Sequence, residues 1–223
     1  MSERLLFALL SFSALVPAIM LHEVAHGAAA LWCGDRTAKE AGRLSLNPLR
    51  HVDPFMSVVL PLVLVVSGSS VVFGGAKPVP INLYRCRDPR KAYWITAIAG
   101  PASNLAQAAL GAALFHALVH ILPDARISVY LLYFLMSYIV TNAVLMAFNL
   151  VPIPPLDGSR VVTVLLPPDL RWRYMQLERW GLFIVFALLL WLPGFQSALG
   201  RAVVALVRAL GLSDWLILLM LGR

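Results

Sequence analysis

Long apolar stretches alternate with short polar ones along the chain. Residues 5–32 are almost wholly apolar, residues 93–122 form a second such run and residues 127–150 a third. Each reaches the ~20 residues a helix needs to cross the hydrocarbon core of a bilayer, so three membrane-spanning helices are predicted. Pro17 can bend the first of them. Residues 55–73 are also apolar, but Pro61 and Ser67-Gly68-Ser69-Ser70 interrupt them. A re-entrant or β-hairpin-like segment is expected there. Lys77 to Asn82 contains Pro78 and Pro80 and is expected to be extended. After the third run, Val151-Pro152-Ile153-Pro154-Pro155-Leu156-Asp157-Gly158 cannot continue a helix. Such a break is tolerated at membrane depth only where protein or a water-filled cavity shelters it. Residues 180–192 and 197–221 are apolar again, the latter with Arg201 and Arg208 seven apart. One or two C-terminal helices are expected there. The fold class is therefore an all-α polytopic integral membrane protein. Three transmembrane helices form its core, within a single membrane-embedded domain over 1–223, whose core spans about 5–160.

Composition agrees. Sixty per cent of the 223 residues are hydrophobic and 13% charged, with mean hydropathy +0.80. That excludes a soluble protein. The first run ends in no small-residue cleavage site, so it is expected to be a retained helix rather than a signal peptide. The net charge of +7 is read as a loop bias in a membrane protein, not as a nucleic-acid surface. Cys33 and Cys86 are too few for a disulfide framework and lack the spacing of a metal pair.

The first helix carries His22-Glu23-Val24-Ala25-His26. Two histidines four apart fall on one helical face, about 6 Å apart along the axis, close enough to share one Zn²⁺. Glu23 sits beside the first of them and can act as general base on water. The pattern fixes only three residues and would carry less weight in a soluble helix. Inside an apolar span, ionisable groups are costly and point to function. A catalytic zinc usually takes a third protein ligand. Asp157, just past the Pro-rich break, is the best candidate, although Asp-Gly also makes plain turns. His116 and His120 are also four apart, but lack an adjacent glutamate and are read as interfacial. His51, beside Asp53, is read as a surface histidine.

Three motifs occur in order: His22-Glu23-x-x-His26, Gly100-Pro101-x-x-Asn104, and Asn149-x-x-Pro152-x-Pro154-Pro155-Leu156-Asp157-Gly158. With Asn47-Pro48-Leu49-Arg50-His51-Val52-Asp53-Pro54 and Ala76-Lys77-Pro78-Val79-Pro80, they resemble the site-2 protease family of zinc intramembrane metalloproteases, in its compact form without PDZ or CBS domain. The resemblance covers about 5–160. It implies one Zn²⁺ per chain on His22, His26 and Asp157, with Glu23 as catalytic acid/base. Asn149 would hold substrate backbone or the oxyanion, and Gly100, Pro101 and Asn104 would form a structural motif near the site. The implied activity is hydrolysis of peptide bonds within or near transmembrane segments of membrane-protein substrates. Lys77 to Asn82 could receive the unwound substrate by strand addition.

If His22, His26 and Asp157 serve one metal, the first and third helices run the same way and the second runs opposite. Residues 55–73 then do not cross the bilayer. Of the 18 Lys and Arg, 13 lie in 34–53, 74–92 and 159–179. By the positive-inside rule the metal side faces the cytoplasm, in the plasma or inner membrane. The expected partners are transmembrane substrates and the bilayer, with no nucleic acid, and a homo-oligomer is compatible. The rival readings are a metal transporter, which would not need Glu23, and a silent relative that only binds transmembrane helices, which would not need the full ligand set.

Overall fold

A computed structural model describes residues 3–59, 63, 75–121 and 126–212 of the chain. The predicted re-entrant stretch lies mostly outside the described residues, as do the turn 122–125 and the end of the last apolar run. Most of the described residues are helical, with one isolated antiparallel bridge between Val52 and Ala76. The long helices are α1 (Glu3–Cys33), α3 (Pro89–Ile121) and α4 (Arg126–Asn149), and the four-residue α2 (Thr37–Glu40) follows α1. After the Pro-rich break come α5 (Asp157–Leu165), α6 (Pro168–Met175), α7 (Glu178–Trp191) and α8 (Pro193–Ala209). Among the described residues, three helices are long and apolar enough to cross a membrane, and α6 with α7, bent by 65°, would make a fourth.

The helix limits follow local chemistry. α3 begins at Pro89, four residues before the apolar run. The Asp88 carboxylate accepts the N–H groups of Arg90 (3.1 Å) and Lys91 (3.0 Å), and proline fits the first turn because its missing N–H would be unpaired there anyway. α1 ends at Gly34, whose φ of 112° suits only glycine. Pro17 and Pro101 lie inside their helices.

The chain divides into two compact units, both boundaries falling inside helices: residues 1–18 with 101–223, and residues 19–100. In the first unit, Ala108 and Ala112 of α3, Met136, Ile139, Val140 and Ala143 of α4 and Val203 and Val207 of α8 form one buried core with Leu212. A methyl at Gly111 would sit 3.0 Å from Ile139 Cγ1, so small residues set the α3–α4 approach. Polar groups buried there are paired. Asn104 Nδ2 donates to Asn142 Oδ1 (2.8 Å) and Ala18 O (3.4 Å). Tyr138 OH donates to Gln107 Oε1 (2.6 Å), and Ser11 bonds Tyr133 OH at 3.2 Å.

Among the described residues, the second unit holds little regular structure between α1 and α3, and side chains bond its irregular backbone. Asn47 and Asn82 cap the single 3₁₀ turns Pro48–Arg50 and Leu83–Arg85. Arg43 donates to the carbonyls of Arg50, Lys77 and Pro78. Asp35 accepts the Thr37 hydroxyl and N–H through Oδ1 and the Asn82 N–H through Oδ2. Residues 77–82 have no regular structure between these anchors, and Asn82 has an extended backbone.

Candidate metal centre

His22 and His26 are buried, 6% and 5% exposed, on the second half of α1. Their rings stand edge to face, with centroids 4.6 Å apart. His26 Nδ1 lies 2.6 Å from the carbonyl oxygen of Thr96 on α3. A carbonyl can only accept, so Nδ1 carries the proton and Nε2 is left as the basic nitrogen. Nε2 points to His22 Nε2 at 3.0 Å. With the His22 proton on Nε2 this contact is a hydrogen bond; with it on Nδ1, both Nε2 lone pairs face one point and can share a cation. The spacing is close to the ~3.3 Å that two Zn–N bonds of ~2.0–2.1 Å give at a tetrahedral centre. The bond from a carbonyl to the remote imidazole nitrogen is the usual outer-shell support of a metal-bound histidine.

α3 supplies the space as well as the bond. A Cβ at Gly100 would fall against His26 Nε2 and 2.5 Å from His22 Cε1. Only a residue without a side chain lets α3 pass the two rings. Gly100 thus has a direct steric reason for its place. Asn104, four residues on, is fully buried and belongs to the polar network with Asn142 and Ala18. Pro101 is fully buried inside α3.

Glu23 is half-buried, and its Oε2 accepts the N–H of Val79 at 3.0 Å. Asp157 is buried, 6% exposed, and is the first residue of α5. Asp-Gly here opens a helix rather than making a turn. A Cβ at Gly158 would fall on Leu150 O, so glycine lets α5 start against the end of α4. Arg160 Nη1 stands 4.0 Å from Asp157 Oδ1. Asn149 is the last residue of α4, and its Nδ2 donates to Leu145 O at 3.0 Å. His22 and His26 lie together in the unit of residues 19–100, and Asp157 lies in the other unit. Two imidazoles and a carboxylate, all buried, are a donor set suited to zinc.

Two sequence expectations change. His51 is 3% exposed, not a surface residue. Its Nε2 donates to Ser45 O at 2.8 Å, and its own carbonyl accepts the Lys77 N–H at 2.8 Å, so it fastens two loops. Arg43, counted in sequence only as a loop charge, is buried among carbonyls. Nothing in a linear pattern distinguishes such an arginine from its exposed neighbours. His116 is exposed and bonds Leu210 O at 3.1 Å.

No family model and no solved structure matches the chain. Among curated proteins it is similar to two relatives named as putative zinc metalloproteases. It is 42% identical to YwhC of Bacillus subtilis, over 80% of this chain and 78% of that protein. It is 33% identical to Rip2 of Mycolicibacterium smegmatis, over 77% of this chain and 63% of that protein. The likeness to YwhC takes in most of both chains, and the chain belongs to the site-2 protease family of zinc metalloproteases.

Proposed function

We propose that the protein is a zinc-dependent intramembrane endopeptidase that hydrolyses peptide bonds within or near transmembrane segments of other membrane proteins. The observation that carries the reading is the pair of imidazole nitrogens at 3.0 Å, with His26 oriented by Thr96 O and Glu23 on the same helical turn. His22, His26 and Asp157 would hold one Zn²⁺. When bound, the ion supplies Lewis acidity and brings the pKa of water toward ~7. Glu23 takes a proton from the attacking water and delivers it to the leaving nitrogen. Asn149 holds substrate backbone or the developing oxyanion. For that its amide leaves Leu145 O, a bond within its own helix. The break at residues 151–156 and the polar loops admit water to the reaction.

The substrate is a transmembrane helix that unwinds locally, because a helix hides its carbonyls in its own hydrogen bonds. Residues 77–82, outside any helix, would pair with it by strand addition. The Val79 N–H is already given to Glu23, so pairing would run through Ile81. The active site faces the cytoplasm from a multi-pass protein of the plasma membrane, supported by the 13 Lys and Arg in the three polar stretches 34–53, 74–92 and 159–179. Labelling of Cys33 and Cys86 from one side only of intact cells is expected, and labelling from opposite sides would overturn this topology.

The decisive experiment compares purified wild type with Glu23→Gln, in detergent, on single-span model substrates, with zinc measured in both. Zinc in both and cleavage by wild type alone is expected. Zinc in both and cleavage by neither would favour metal transport or helix binding. No zinc in either would remove the site.

A further inference from the structure

We propose that residues 77–82 act as a strap that positions the Glu23 carboxylate, with Val79 N–H as the contact and Arg43 as the anchor. The inference rests on the protease reading above and concerns a part of the machinery outside the ligand set. Within residues 78–80, Val79 has the sole backbone N–H, since Pro78 and Pro80 have none. That N–H donates to Glu23 Oε2 at 3.0 Å. One carboxylate oxygen is thereby fixed, and Oε1 is left to exchange a proton.

The strap is held in register on both sides of the contact. Before it, Arg43 Nη2 donates to Lys77 O at 2.5 Å and to Pro78 O at 3.5 Å, and Lys77 N–H donates to His51 O at 2.8 Å. Beyond it, Asn82 N–H donates to Asp35 at 2.6 Å. The Val79 side chain is buried and lies close on α1. A Cβ at Gly27, the residue after His26, would sit 2.9 Å from Val79 Cγ1. Arg43 is 9% exposed, and among the described residues it bonds only carbonyls, no carboxylate. Burying a guanidinium without a counter-charge is costly, and here its rigid fork can serve two chain segments at once. A freely rotating glutamate has three torsions to lose before it can take a proton. Misplacing such a group by ~1 Å can lower a rate by ~100-fold.

The test compares Val79→Ala, which keeps the N–H, with Val79→Pro, which removes it where proline already flanks both sides. Arg43→Ala and Arg43→Lys probe the anchor. On a single-span substrate in detergent, V79P is expected to lose about tenfold or more in kcat, with KM and zinc content near wild type. V79A, which keeps the N–H but trims a buried side chain, should lose clearly less kcat than V79P, and R43K should recover part of the kcat that R43A loses. Hydrogen exchange gives a readout apart from turnover: Glu23→Ala should speed exchange at the Val79 amide. If V79P cleaves like wild type, or V79A and V79P slow equally, the positioning role falls while the protease reading stands. If wild type itself cleaves nothing, the protease reading falls and takes the positioning role with it.

Discussion

The two units solve the same problem, unpaired backbone, in opposite ways. Among the described residues of 1–18 with 101–223 the backbone is mostly helical and satisfies itself, so the side chains are free to pack. Small residues set the approach of α3 to α4, and the few buried polar side chains pair among themselves, as Asn104 with Asn142. In residues 19–100 much of the backbone between α1 and α3 is irregular. There Arg43, Asp35, His51 and Asn82 bond main-chain groups directly. The first arrangement yields a scaffold whose precision comes from packing. The second aims individual groups, such as the Val79 N–H at Glu23. Irregular chain, held by specific side chains, is where a site can place donors that no helix face would present.

The sharpest way to sharpen this contrast is to strike the chemistry without touching either kind of support. Glu23→Gln keeps the size and an acceptor for Val79 N–H but cannot take a proton. Cleavage is expected to fall by at least ~100-fold, the lower end of what a general base contributes, while zinc content and thermal stability stay at wild-type values. Turnover that survives in E23Q would show that another group carries the proton.

Next in size is Gly100→Ala. On helix propensity alone, alanine should stabilise α3 by about 1 kcal/mol. Its methyl, however, would press on both imidazoles, and His26 cannot swing away without leaving Thr96 O. Zinc affinity is expected to drop by about 10–100-fold, as when an outer-shell support is lost, and the overpacked methyl, at about 1–3 kcal/mol, should offset the helix gain or outweigh it and lower the melting temperature. Competition with a chelator measures the first and a thermal melt the second. Unchanged zinc affinity would mean that the rings have more room than their contacts suggest.

The scaffold was largely legible in sequence, and the aiming was not. Length and hydropathy define α1, α3 and α4 because a spanning helix must be long and apolar. The α3 start was misplaced by four residues, since Asp88-Pro89 caps a turn that lies outside the apolar run. His22, Glu23 and His26 were legible because a helix converts a spacing of four into proximity. The steric role of Gly100 could not be read from the chain, because the rings it spares lie over seventy residues away. Arg43 and His51 look like ordinary loop residues in sequence. Their burial follows from tertiary contacts with residues 45, 50 and 77–78, which no local pattern encodes.

A test inside the scaffold is Asn142→Leu, which deletes the 2.8 Å bond to Asn104. Interhelical bonds of this type contribute about 0.6–2 kcal/mol. A lower melting temperature in detergent is expected, with zinc affinity and relative cleavage of model substrates unchanged. If zinc is lost as well, the polar network and the metal site are coupled, and the contrast between scaffold and aiming fails there.

The smallest effect is expected at Asp35, and it carries a pH signature. Burial pushes this carboxyl up, but the Thr37 hydroxyl, the N–H groups of Asn82 and Thr37 and the charge of Arg85 together hold it below its ordinary 3.8. A depressed folded value means that the ionised form is bound more tightly in the folded chain than in the unfolded one. Its contribution is therefore complete above pH 3.8 and is lost as pH falls below that, through the folded value. Asp35→Asn lacks the titration. Limited proteolysis between α1 and α3 should cut D35N faster than wild type by a ratio that is constant at neutral and mildly acid pH. Below pH 3.8 the two rates should converge, because protonated aspartic acid and asparagine then present the strap with similarly weak acceptors. A ratio that instead changes between neutral and mildly acid pH would overturn the assignment to Asp35.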